Sequence, residues 1–111
     1  MGERMIEIIL PIKTISEANC RDHWAKKAKR VKTHRTTARL MCPKFELPCI
    51  VTLTRVSRGT LDTDNLSSAL KGTRDGIADK LGADDGSPLI DWRYAQKKGA
   101  PSVVVKLEAM K

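Results

Sequence analysis

Carboxylates are the residues in this chain with the most to offer chemically. Seven of the 13 acidic residues fall within thirty positions, and all seven are aspartate: Asp62, Asp64, Asp75, Asp79, Asp84, Asp85 and Asp91. Aspartate is a poor helix former, so its choice within and beside a helix needs a reason. Caps and turns supply part of it; a short, stiff carboxylate held at fixed depth for a hard cation supplies more. Asp62 and Asp64 are separated by one residue, so in an extended segment both point to the same side and can reach one ion. Asp64 also stands at the expected N-cap of the next helix, where its carboxylate would accept backbone N–H bonds. Capping accounts for one aspartate and not for its neighbour two residues earlier. Asp84-Asp85-Gly86 reads as a turn with Asx capping, and it adds two carboxylates. Together Asp62, Asp64, Asp84 and Asp85 would repel one another without a cation. Three or four oxygen ligands suit Mg²⁺, with Mn²⁺ as a substitute, better than zinc.

The helix after Asp64 can be projected at about 100° per residue. Leu66, Leu70, Thr73, Ile77 and Leu81 then share one face and form its buried side, while Asp64, Lys71 and Asp75 line the opposite stripe. Lys71 and Asp75 are spaced as an ordinary i,i+4 surface ion pair. In a functional reading, Asp75 holds the Lys71 ammonium beside the carboxylates. Gly72 and Gly76 each weaken this helix by about 1 kcal/mol relative to alanine. In return they permit close approach of another backbone, or of DNA.

Basic residues are as uneven as the acids. Arg21, Lys26, Lys27, Lys29, Arg30, Lys32, Arg35 and Arg39 are opposed only by Asp22 in that stretch, within a chain of net charge +8. A merely solvated helix face would mix signs. Unrelieved like charge points to a phosphate-binding face, because neutralising phosphates releases counterions. His23 and His34 lie in the same segment and read as DNA-facing or surface groups, not as general bases. An acidic patch within a basic protein is what a metal-dependent nuclease needs: bases hold the phosphodiester, and an ion activates water and stabilises developing charge.

The elements that must position these groups can be placed by periodicity. Met5 to Ile12 reads as a strand. From Ser16-Glu17 to about Met41, Cys20, Trp24, Ala28, Val31, Ala38 and Met41 recur with helical spacing, which makes Trp24 a core anchor, with a base-wedging role as the alternative. Cys49 to Ser57 is a second strand. A second helix runs from Leu66 to about Lys80, with Gly82 as its stop. Leu89 to Gln96 and Ser102 to Glu108 complete the strands. The order β-α-β-α-β-β predicts an α+β fold, a small mixed sheet with two packed helices in a single domain spanning residues 1–111. A monomer of this length buries roughly 65% of its unfolded surface, a modest core.

Several classes are disfavoured. Trp24, Trp92, Tyr94 and Phe45 are the only aromatics, too few for a single-strand stacking sheet. Cys20, Cys42 and Cys49 are odd in number and lack C-x-x-C spacing, so buried thiols are expected and neither a disulfide scaffold nor a zinc site. The one apolar run near the N-terminus is too short for a signal peptide or a membrane span, which leads us to expect a cytoplasmic protein with no membrane partner.

Leu61-Asp62-Thr63-Asp64-Asn65, followed by Lys71, Asp75 and Asp84-Asp85, resembles the RusA-type crossover junction endodeoxyribonucleases, small and often prophage-encoded Holliday junction resolvases. Their pattern is D-x-D-N, a Lys and an Asp on the next helix, then a loop ending in a D-D pair. The likeness covers most of the chain, and the stretch from Leu61 to Asp91 is its specific part. It implies a homodimer that cuts four-way DNA junctions symmetrically with Mg²⁺. Asp62, Asp64 and Asp85 would hold the ion, Lys71 would face the scissile phosphate, and Asn65 and Asp75 would support them. One departure stands out: in the best-known members the Lys follows the second Asp of D-x-D-N by four residues, where this chain has Ser68. Lys71 matches only with three residues inserted, nearly one helical turn. The competing expectation is a branched-DNA-binding protein of phage recombination or replication that lacks catalysis.

Overall fold

The computed structural model describes residues 5–15 and 24–110. Arg21, His23 and Cys20 lie outside them. Strand β1 (Met5–Leu10) precedes helix α1 (Trp24–Met41), strand β2 (Cys49–Ser57), helices α2 (Thr63–Ala69) and α3 (Lys71–Leu81), and strands β3 (Ile90–Lys98) and β4 (Ser102–Ala109). The strands form one mixed sheet in the order β1-β4-β2-β3. β4 is antiparallel to both β1 and β2, whereas β2 and β3 are parallel. Parallel neighbours cannot be joined by a hairpin, and α2 with α3 forms the required crossover. The fold is α+β, as the element order predicts.

Strand alternation decides which face is covered. Cys49, Val51 and Leu53 of β2 and Val103, Val105 and Leu107 of β4 are buried on one face. Leu66, Leu70 and Ile77 from α2 and α3 close over them. The alternate residues, among them Thr52, Thr54, Val104 and Lys106, are only partly covered. Cys42 and Cys49 are buried free thiols, and burial pushes Cys42 up to about 11.

Two expectations need correction. The second helix begins at Thr63, three residues before Leu66, and breaks at Leu70, which ends α2 and starts α3 with φ −101° and ψ 4°. Leu70 is itself fully buried, so the break lets α2 and α3 each turn an apolar side to the sheet. Trp24 is not a core anchor: it is 74% exposed, and Ala38 is the buried residue of α1. The glycines of α3 admit another backbone, the first of the two close approaches expected of them. A Cβ on Gly72 would lie 2.6 Å from the Val31 carbonyl oxygen and 2.9 Å from the His34 Cβ; one on Gly76 would strike the Arg35 carbonyl. α1 therefore lies in a notch along α3, and His34 faces that notch. Gly82 does stop α3, in the left-handed region at φ 77°.

Candidate functional site

Asp62, not Asp64, caps α2. Its backbone is extended, and its Oδ1 accepts from the Asn65 N–H at 2.9 Å. Asp64 occupies the first helical turn, where a negative charge is favoured by the helix dipole. The two carboxylates thus sit on either side of a helix start and not along one extended strand. Asn65 serves here through its main chain.

The segment leading to Asp62 is held from below. Gln96 donates to the Leu61 carbonyl at 2.7 Å and accepts from the Leu61 N–H at 2.8 Å. Arg55, 6% exposed, donates from Nε to Thr14 at 2.7 Å and from Nη1 to the Gly59 carbonyl at 3.0 Å. Burial pushes its guanidinium below the ordinary value. A buried cation spent on one hydroxyl and one carbonyl fixes the loop that delivers Asp62.

Asp85 is held by the same strand. Its main-chain carbonyl accepts from Arg74 Nη2 at 2.7 Å and from Trp92 Nε1 at 2.8 Å. Arg74 also donates to the Tyr94 hydroxyl at 2.8 Å and lies 4.7 Å from the centroid of Trp92. Its Nε stands 3.6 Å from the Asp85 carboxylate. Trp92, Tyr94 and Gln96 alternate along β3 and so share its covered face. One face of one strand therefore holds the Asp85 turn, Arg74 and the entry to Asp62. Sequence reasoning missed Gln96, Arg55, Arg74, Trp92 and Tyr94 as supports, because each acts through a partner in another element or loop. The signal available was polar and aromatic residues at every second position of β3.

If Arg74 is the clamp, Arg74→Leu should speed amide exchange across residues 83–87 about tenfold or more, while the amides of α3 stay protected. Unchanged exchange in that turn would show that Trp92 alone suffices.

Lys71 lies where three hollows meet. A cleft of ≈ 200 Å³ is lined by Arg35, Lys71, Asp75, Asp79, Asp84 and Asp85. A second, of ≈ 260 Å³, is lined by Ser67, Ser68, Lys71, Arg74, Asp85 and Tyr94. A third runs along α1 past Lys27 and Lys32 to Lys71. Lys71 Nζ is 3.4 Å from Asp75 Oδ2, as the helical spacing predicts. Ser67 and Ser68 follow Asp64 by three and four residues, so Asp64 is one turn of α2 away from the second hollow, on its side.

The seven aspartates thus divide. Asp75, Asp79, Asp84 and Asp85 share the first cleft, Asp62 and Asp64 stand at the start of α2, and Asp91 pairs with Arg93 at 3.1 Å. Among the described residues no three His, Cys, Asp or Glu side chains gather around one point. Asp62, Asp64 and Asp85 share the donor chemistry of a hard-cation site without forming a three-ligand group.

Of the basic residues of α1, Lys26, Lys27, Lys29, Lys32 and Arg39 are exposed and Arg30 is half-buried. Arg35 is otherwise engaged. Its Nε and Nη2 donate to Asp79 at 2.7 and 2.9 Å, a two-pronged tie between α1 and α3. That hydrogen bond holds Asp79 below the usual carboxylate range and raises Arg35. A depressed folded-state value stabilises above the ordinary carboxylate pKa and is lost as pH falls through the folded value. Stability curves of the wild type and Asp79→Asn should therefore converge on acidification below about pH 4. A constant gap would exclude the ion pair as the source.

No protein-family profile and no curated protein sequence matches the chain. Among the described residues no helix is long and apolar enough to cross a membrane.

Proposed function

We propose that the chain is a Mg²⁺-dependent, structure-specific DNA endonuclease of the RusA type that resolves four-way junctions by paired phosphodiester hydrolysis. The observation that carries this reading is the position of Lys71, which borders both the aspartate clefts and the groove along the basic helix. A phosphate seated by Lys27 and Lys32 reaches Lys71 and the Asp85 turn without leaving one continuous surface.

Asp62, Asp64 and Asp85, with Asp84 adjacent, would hold Mg²⁺ or Mn²⁺; their all-carboxylate chemistry suits such an ion. When bound, the ion would supply a nucleophile at neutral pH and stabilise charge on the phosphoryl oxygens. Lys71 neutralises the phosphate, and Asp75 restrains its ammonium. Arg74, Trp92 and Gln96 keep the carboxylate-bearing segments in place, so that they need not be ordered at the moment of reaction. A homodimer would carry two such sites, suiting a substrate with two strands to cut.

A branched-DNA-binding protein without catalysis is the second reading. It is favoured by the Asp85 carboxylate facing Arg74. A labelled four-way junction, beside duplex and single-strand controls, separates the two. Paired symmetric nicks in Mg²⁺ and none in EDTA are expected; junction binding with no cleavage in any divalent ion would overturn the catalytic reading.

A further inference from the structure

Trp24 is the largest side chain of α1 and the most exposed of its large hydrophobic residues, at 74%. It lies on the same helical stripe as Ala28, Val31 and Arg35, spaced by four, three and four residues. α3 covers only the later part of that stripe. Gly72 meets Val31 and His34, and Gly76 meets Arg35 and Ala38, so the two helices run in the same sense. The turns from Trp24 to Arg30 therefore extend beyond Lys71, the first residue of α3. There Trp24, Ala28 and Val31 line an open groove of ≈ 510 Å³ rimmed by Lys27, Lys32 and Arg35, with Lys71 at its end.

A flat aromatic face among cations selects a ligand that is itself flat, apolar and anionic at its edge. A nucleobase with its phosphate has that chemistry, and paired bases inside an intact duplex cannot present a free face. We propose that Trp24 stacks on an unpaired base at the branch point of DNA, with Lys27 and Lys32 on the flanking phosphates. This rests on the DNA-binding half of the reading above and names the feature of branched DNA being recognised. The shared wall gives the proposal its register. Trp24 and Arg35 are eleven residues apart, about 16 Å along the helix. A strand whose base rests on Trp24 therefore passes Lys71 within a few nucleotides, which ties the position of the branch to the position of the carboxylates.

Tryptophan fluorescence tests this without requiring cleavage. The chain has two tryptophans, so Trp24→Phe leaves Trp92 as the sole reporter. In EDTA, a four-way junction with unpaired bases at its centre should quench the wild type more than a fully paired duplex does. The excess should vanish in Trp24→Phe. Trp24→Ala should weaken junction binding about tenfold or more, while duplex binding changes little and Trp24→Phe retains most of the affinity. Because the side chain is exposed, neither variant should lose its fold. Junction binding or cleavage without the excess quench would overturn the stacking role and leave the nuclease reading standing. Quenching that grows with protein concentration in the absence of DNA would also overturn it, by assigning the groove to a second copy. No binding to any DNA would overturn both readings.

Discussion

Asp85→Asn is expected to lower metal-dependent junction cleavage by about a hundredfold or more while leaving the fold and DNA binding in place. The reason for expecting a clean chemical effect lies in how the turn is held. Arg74 and Trp92 both bond the main-chain carbonyl of residue 85, which asparagine keeps. Only the contact between Arg74 Nε and the carboxylate, at 3.6 Å, loses its charge. Removing a negative group beside a phosphate-binding surface should, if anything, tighten binding to DNA. The check is cleavage rate at saturating protein together with junction affinity, measured on the same preparation. Activity within a few-fold of wild type would remove Asp85 from the reacting centre and leave it a turn residue.

Gly76→Ala should have the largest effect on stability of any exchange as small as one methyl group. Its Cβ would meet the Arg35 carbonyl and lie 2.8 Å from the Ala38 Cβ, so α1 and α3 would have to separate. Neither neighbour is the end of a flexible side chain. Overpacking of this kind costs about 1–3 kcal/mol or somewhat more, against about 1 kcal/mol gained in helix propensity. A net loss of about 2 kcal/mol, or roughly 10 °C in Tm, is expected for a domain of this size. Gly86→Ala, which meets nothing within 4 Å, is the control and should move Tm little. A Gly76→Ala protein as stable as wild type would mean that the helices are not in the contact described. Because Arg35 and Lys71 lie on opposite sides of this seam, the same substitution should also disturb the cleft they share.

The strands and the end of the crossover were legible because their signals are local. Alternation in Cys49–Ser57 and Ser102–Ala109, and Gly82 after the last turn of α3, needed no knowledge of partners. The placing of Lys71 beside Asp75 followed from helical spacing in the same way. What spacing could not supply was where one helix ends against another. Projecting a single helix from Asp64 hid the break at Leu70 and assigned the cap to Asp64, when Asp62 holds it. The helical stripe of α1 was real, but α3 is shorter than α1 and packs against its later turns, and Trp24 in the first turn is exposed. Periodicity says which residues share a face, not how much of that face a neighbour covers. The supports on β2 and β3 were hidden for a related reason. Gln96 grips Leu61 from 35 positions away, and Arg55 bonds Thr14 from 41 away, pairings that only the sheet register creates. Spacing also did not show which aspartates are tied to cations: Asp91 pairs with Arg93, and Asp79 with Arg35.

The most direct test of the account is cleavage of a labelled four-way junction by wild type and Asp64→Asn, each in Mg²⁺ and in EDTA. Junction binding is scored on the same samples. The account predicts paired, symmetric nicks by the wild type in Mg²⁺ alone, and their loss in Asp64→Asn with binding retained. Cleavage by Asp64→Asn at the wild-type rate, or junction binding by the wild type without cleavage in any divalent ion, would contradict it.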